Sequence, residues 1–200
     1  MDTVITITTA LISALVGPAL VEYIKHKLTS KKEDKVKTHI QQSSVINDEL
    51  EEIRDKFNAD RIWICTLHNG GHYLHGKEHM QKFSMEYELC KPNVSQIQLS
   101  LKSNISTSLF SKYLEKLSNQ EIVVISKIET DDNLGLKLLM DASNIKSQIS
   151  VGLFDIKTDK FYAFIGLDFN NEKLFSKTEI DYFRERSSRI GGFISMLMVK

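Results

Sequence analysis

Two hundred residues at 42% hydrophobic content suffice for one core-bearing domain and an additional segment. The 26 basic and 26 acidic residues cancel, so charge gives no case for a nucleic-acid partner, and none is expected. Two cysteines, Cys65 and Cys90, exclude a dense disulfide framework and fit reduced, buried thiols; a bridge across paired strands would need an oxidising compartment.

The chain opens on an uncharged run, Val4 to Val21. At about 1.5 Å per residue it makes roughly 27 Å of helix, just enough for a hydrocarbon core. Thr3, Thr6, Thr8, Thr9 and Ser13 moderate its hydropathy, but their hydroxyls can bond back to the helix. A cleaved signal would need a basic start, and here stands Asp2; an interfacial helix would need a charged face, and there is none. The expectation is a single membrane anchor over residues 1–24. Lys25, Lys27, Lys31, Lys32, Lys35 and Lys37 follow it, so the positive-inside rule places the remainder in the cytoplasm, on the inner face of the plasma membrane. Residues 25–42 form this basic flank and a helical stalk, and residues 43–200 the globular domain.

Val36, Ile40, Ser43, Ile46, Leu50, Ile53 and Phe57 recur at three- and four-residue steps, predicting a helix from Val36 to Phe57. Its second half suits packing on a sheet. Its first half suits a free stalk or a homodimer seam. Arg61–Leu67 and Lys82–Leu89 then read as strands. In the second, Phe83, Met85, Tyr87 and Leu89 alternate with Lys82, Ser84, Glu86 and Glu88. His68-Asn69-Gly70-Gly71 reads as a turn between them.

Pro92–Ser106 is irregular and polar. A helix is expected over Thr107–Leu117, a strand over Ile122–Ile128, and a short helix over Asp131–Ala142 with Leu134, Leu138 and Leu139 inward. Ser147–Ile156 and Phe161–Phe169 form an antiparallel hairpin around Lys157-Thr158-Asp159-Lys160, with Phe161, Ala163, Ile165, Leu167 and Phe169 inward. Ser176 and Glu179 make a capping box, and Phe175 and Ile180 a hydrophobic staple, for a last helix. Ile180, Phe183, Ser187, Ile190, Ile194 and Leu197 mark its buried face.

Chemistry concentrates between the first two strands. Cys65, His68, His72, His75 and His79 follow at steps of three and four, which on a helix would share one face and suit a metal such as zinc. Asn69-Gly70-Gly71 and Gly76 favour a loop instead, with ordinary loop histidines. The candidate ligand-binding residues are His68, Asn69, Gly70, Gly71, Tyr73, Lys82, Ser84 and Glu86: a Gly-Gly turn offers backbone amides to an anion, Lys82 a charge and Ser84 a hydrogen bond. A purely solvated polar strand face is the alternative. Nucleophile elbow, Walker loop, dinucleotide fingerprint and HExxH are all absent, so the chain is not expected to be an enzyme.

The element order, with the phrases ADRIWICTLHNGG, QEIVVISKI and FYAFIGLDF, resembles a GAF domain over about Ser43 to Lys200. The resemblance implies an α+β fold: an antiparallel sheet with the first and last helices packed on one face and a ligand pocket on the other. GAF domains bind cyclic nucleotides, chromophores, haem or amino acids, and many bind nothing. The cyclic-nucleotide signature Asn-Lys-Phe-Asp is absent, and Cys65 and Cys90 fall in strands rather than at a reactive pocket position, so the cofactor stays unknown. The layout of one span and a modest domain also resembles holin-like proteins of large tailed phages. The expected function is a membrane-anchored, non-enzymatic sensory or binding module for a small ligand or protein partner. The alternatives are a holin-like permeabilising protein and a structural tether with an empty pocket.

Overall fold

Short β-favouring apolar segments pair into one antiparallel sheet, because a strand satisfies its backbone groups and buries its apolar face only beside another. A computed structural model describes residues 35–72, 79–98, 105–127 and 133–198. Helix α1 (Lys35–Phe57) is followed by strands β1 (Arg61–His72), β2 (His79–Cys90) and β3 (Ile105–Ser106). A 3-10 turn (Thr107–Phe110), helix α2 (Ser111–Ser118), strand β4 (Val123–Ile125) and helix α3 (Leu134–Ala142) come next, then β5 (Ser147–Phe154), β6 (Phe161–Phe169) and α4 (Lys177–Met198). The sheet order is β3-β2-β1-β6-β5-β4, and every pairing is antiparallel.

The chain divides into two compact units, 1–45 and 46–200, with the boundary inside α1. In the first unit the described part is helical, and Ile40 and Val45 are exposed. In the second, Ile46, Leu50, Ile53 and Phe57 join Phe183, Ile190 and Ile194 of α4 on one face of the sheet, against Ile62, Ile64, Ile149, Val151, Ile165 and Leu167. Full burial of each such side chain is worth about 1.5–3 kcal/mol. Arg186 of α4 clamps α1 by donating to both oxygens of Glu52, at 2.7 and 2.8 Å, and to Glu49 at 2.7 Å. The expected capping box is present: Glu179 N–H donates to Ser176 Oγ at 3.2 Å, and Ser176 N–H to Glu179 at 2.9 Å. Phe175 and Ile180 both pack on this core.

The other face is covered by the 3-10 turn, α2 and α3, and holds a second apolar cluster. Gly152 lets α2 approach, since a Cβ there would meet the Leu117 carbonyl at 2.5 Å. On the same face, Trp63 lies flat over Gly166, leaving no room for a side chain.

Two bulges change which residues share a face. In β2, Tyr87 pairs with Ile64 but Met85 with Cys65, so Glu86 is an extra residue. Phe83 and Met85 therefore face the second cluster while Tyr87 and Leu89 face the helix side, not one face as strict alternation predicts. In β6, Ala163 pairs with Leu153 but Phe161 with Phe154, so Tyr162 is extra. Phe161 thus packs with the second cluster, while Ala163, Ile165, Leu167 and Phe169 face the first. Tyr162 turns to the helix side and donates to the Gly191 carbonyl at 2.7 Å.

Three local readings are also corrected. His68-Asn69-Gly70-Gly71 is strand rather than turn: pairing continues to His72↔His79, with the irregularity at the glycines absorbed between Asn69 and His72. Leu134 and Leu138 face outward, at 69% and 61% exposure, because Asn133 caps α3 through Leu136 N–H and sets Leu136 and Met140 inward instead. The segment Val123–Ile125 is the extent of β4, shorter than its apolar run. Among the described residues no helix is long and apolar enough to cross a membrane; the Val4–Val21 run lies outside them.

Candidate functional site

Strand register assembles the site. Arg61, Asp168 and Gln148 are successive cross-strand partners on β1, β6 and β5, so one polar row crosses the sheet face away from α1 and α4. Trp63, Gly166 and Ser150 form the next row, and Cys65, Phe164 and Gly152 the one after. From these rows Trp63, Cys65, Phe164, Gln148 and Asp168 floor a cavity walled by Phe83, Met85, Ile97, Ile105, Phe110 and Tyr113, and roofed by Leu136 and Leu139 of α3. Its volume is about 30 Å³, room for little more than one water. The rings pack edge to face: Phe164 meets Trp63 at 5.7 Å and Phe83 at 5.3 Å, and Tyr113 stands 6.1 Å away. Tyr113 Oη donates to Ser150 Oγ at 2.8 Å, so the one hydroxyl in this wall is satisfied.

Buried charge adjoins the cavity, reaching it at Asp168. Arg61 is 1% exposed. Its Nη1 donates to Asp168 Oδ2 at 3.1 Å and its Nη2 to the Ser95 carbonyl at 2.7 Å. Nε lies 2.8 Å from Glu88 Oε1, an ion-pair distance at which its N–H is not aligned for a hydrogen bond. Glu88 also accepts from Ile97 N–H at 2.7 Å and Gln98 N–H at 2.9 Å, which pins the chain after β2 against the cavity mouth. Gln148 Nε2 donates to Asp168 Oδ1 at 2.9 Å. With its amide so oriented, Gln148 Oε1 is left without a partner among the described residues. Burial pushes the Asp168 carboxyl up from its ordinary value, while the Arg61 guanidinium and hydrogen bonds from Gln148, Trp63 and Arg61 pull it back. Burial pushes the Cys65 thiol well up, so the cysteine in the cavity wall is a neutral thiol rather than a nucleophile.

The residues singled out from sequence lie elsewhere. His68, Lys82 and Ser84 are on the helix-side face of the hairpin, away from the cavity. His68 Nε2 and Ser84 Oγ are 2.8 Å apart, and Lys82 is half-buried beside them. Asn69 accepts from Gln81 Nε2 at 3.0 Å. Glu86 is the exposed bulge residue. Gly70 and Gly71 run in the strand, not in an amide-presenting turn. Tyr73 and His75 lie outside the described residues, as do the side chains of His72 and His79. An open groove of about 510 Å³ does border His68 and Asn69, together with Asp155, Lys157, Thr158, Tyr162 and Ser195. Cys65 faces the cavity and His68 the opposite side, so these two cannot share a metal. Among the described residues no group of His, Cys, Asp and Glu is placed to hold one.

Sequence reasoning missed Arg61, Asp168 and Gln148. The available signal was a lone carboxylate in the apolar run FYAFIGLDF, since a buried charge requires a partner.

No protein-family model matches the chain, and no curated protein matches it. Solved structures do. A GAF3 domain of Synechocystis in its photoproduct state superposes with a TM-score of 0.63 at 12% identity, covering 79% of this chain and 96% of that one. The phycocyanobilin-bound GAF domain of a cyanobacterial phytochrome gives 0.61 at 15%, over 81% and 91%. The blue-light absorbing form of the PixJ GAF domain of Thermosynechococcus elongatus gives 0.60 at 12%, over 78% and 86%. The fold is therefore α+β and GAF-like. At these identities the likeness is one of fold alone.

Proposed function

We propose that the chain is a membrane-anchored, non-enzymatic GAF-like module that senses a small ligand in the cavity beneath α3. The supporting observation is the cavity itself: an apolar box beneath α3, with Gln148 and Asp168 of the buried polar row among its lining residues. The same fold holds phycocyanobilin in the phytochrome domain. Here a cavity of about 30 Å³ requires a smaller occupant or an outward shift of α3. Ligand pockets for drug-sized molecules run to about 300–1,000 Å³.

The anchor is the uncharged run Val4–Val21, and the lysines after it set the domain on the cytoplasmic side. The first half of α1, with Ile40 and Val45 exposed, offers a seam for a second copy. A ligand that moves α3 bears on the sheet, and the sheet's other face carries α1 and α4.

The test is thermal unfolding of the full-length chain in mild detergent against nucleotides, amino acids, amines and carboxylates. A cognate ligand at 100 times its Kd stabilises by about 2.7 kcal/mol. A library that shifts neither the midpoint nor the emission of Trp63, the single tryptophan, overturns the small-ligand reading. Recovery of the chain in the soluble fraction after cell lysis, without detergent, overturns the anchor.

A further inference from the structure

We infer that the way into the cavity lies past Ile97: this side chain is a gate between the cavity and an outer polar pocket, and the Glu88 carboxylate is its latch. This supplies an entrance to the site proposed above and rests on that reading.

Three observations carry it. First, every residue lining the cavity is buried or half-buried, so a guest enters only when a wall moves. Next to it lies a second pocket, of about 270 Å³, bordered by Arg61, Asn93, Ser95, Asn144 and Ile97. Among the described residues Ile97 alone lines both spaces, and it is 5% exposed. The partition beside it is an ion pair: Arg61 borders the outer pocket, Asp168 borders the cavity, and they meet at 3.1 Å. Second, Ile97 sits on the wall that is easiest to lift. Residues 91–98 form neither helix nor strand, and Ile97 is the one buried residue of this strap. Lifting α3 would instead expose Leu136 and Met140, at 2% and 0%, and undo the close fit of Gly135 on the Leu109 carbonyl. Buried apolar area sets the cost of such an opening. Third, the latch can release without stranding a charge. Glu88 accepts from the Ile97 and Gln98 amides at 2.7 and 2.9 Å, and Arg61 donates to the Ser95 carbonyl at 2.7 Å. When the strap lifts, these backbone groups pass to water, while Glu88 keeps Arg61 and Arg61 keeps Asp168. No buried charge loses its counter-ion, which would be the costly event. With Ile97 withdrawn the two spaces join, and approach the roughly 300 Å³ at which pockets for drug-sized molecules begin.

The test reads Trp63, which is the single tryptophan, 5% exposed, and part of the cavity wall. Acrylamide quenching of its emission, in the full-length chain in mild detergent, reports entry of a small neutral molecule. Ile97→Ala should raise the quenching constant about fivefold or more, with thermal unfolding still cooperative. Leu139→Ala trims the roof but leaves the gate shut, and should raise it by less than about twofold. In the unaltered chain, the Ile97 and Gln98 amides should exchange hydrogen together, about tenfold or more faster than those of Leu139 and Met140 in α3. Glu88→Gln keeps one acceptor oxygen and should speed that pair about tenfold further.

Quenching unchanged by Ile97→Ala, or raised as much by Leu139→Ala, overturns the gate. Strap amides that open no faster than those of α3 overturn it too, and an exchange rate indifferent to Glu88→Gln overturns the latch. Should Ile97→Ala fail to fold, exchange in the unaltered chain decides alone. None of these measurements uses a ligand: loss of the gate leaves the cavity reading to the compound library, and a silent library leaves the quenching and exchange results untouched.

Discussion

Replacing Arg61 by Met tests whether the buried polar row is held together by its one cation. The guanidinium lies 2.8 Å from Glu88 and 3.1 Å from Asp168. At an effective dielectric near 20, a unit pair at about 4 Å between charge centres attracts by about 4 kcal/mol before desolvation is counted. Removing one partner of a buried pair costs about 3–5 kcal/mol net, or roughly 6–20 °C in midpoint for a domain of this size. The two carboxylates do not suffer equally. Glu88 keeps the Ile97 and Gln98 amides, whereas Asp168 keeps Gln148 and Trp63.

Asp168 already has a raised pKa. A carboxyl raised on folding binds its proton more readily in the native state, so its contribution is present at low pH and lost as pH rises through the raised value. Arg61→Met should therefore be less damaging at pH 5 than at pH 8. Adding Asp168→Asn should restore about 1–3 kcal/mol of the loss at pH 8. Urea unfolding followed by Trp63 emission measures all three. A loss below about 1 kcal/mol, or a double variant weaker than the single one, refutes the reasoning.

Gly166→Ala should cost about 1–3 kcal/mol and shift Trp63 emission, because the indole occupies the place of the new methyl; an unchanged spectrum would contradict the packing. Ser176→Ala should destabilise α4 by about 1 kcal/mol through loss of the capping box, read by thermal unfolding. Asp155, held by Ser195 Oγ at 2.7 Å and by Thr158, has its pKa lowered to about 2. Its contribution is present above the unfolded value of 3.8 and fades as pH falls towards 2, so carboxyl-carbon NMR should place its midpoint well below those of exposed aspartates. Cys65 should resist thiol reagents in the native chain and react at an ordinary rate in urea.

Element order and the faces of α1 and α4 were legible because they rest on periodicity. Ile46 to Phe57 and Phe183 to Ile194 repeat at helical steps, and the capping box announces the start of α4. Sidedness within β2 and β6 was not legible, because a bulge leaves no mark in an alternating pattern: MQKFSMEYEL reads equally well with or without an extra residue. The same limit hid the site. Arg61, Glu88, Gln148 and Asp168 come from four strands up to 107 positions apart, and only register brings them together. The histidines drew attention through clustering in sequence, yet His68 points away from the cavity and spends its ring nitrogen on Ser84. On α3 the leucines at 134 and 138 were as apolar as those beneath, and only the cap at Asn133 fixes the rotation.

The unpaired position at Glu86 has a genetic corollary. Excising that single codon would set Met85 directly beside Tyr87, still opposite Cys65 and Ile64, and turn the kinked strand into a regular one. Phe83 and Met85 would keep their places beneath α3, and Tyr87 and Leu89 theirs on the opposite side, because neighbours one step apart already point to opposite faces. Loss of one codon at 86 should therefore be tolerated, whereas loss of one at 84 would exchange the faces of the outer half.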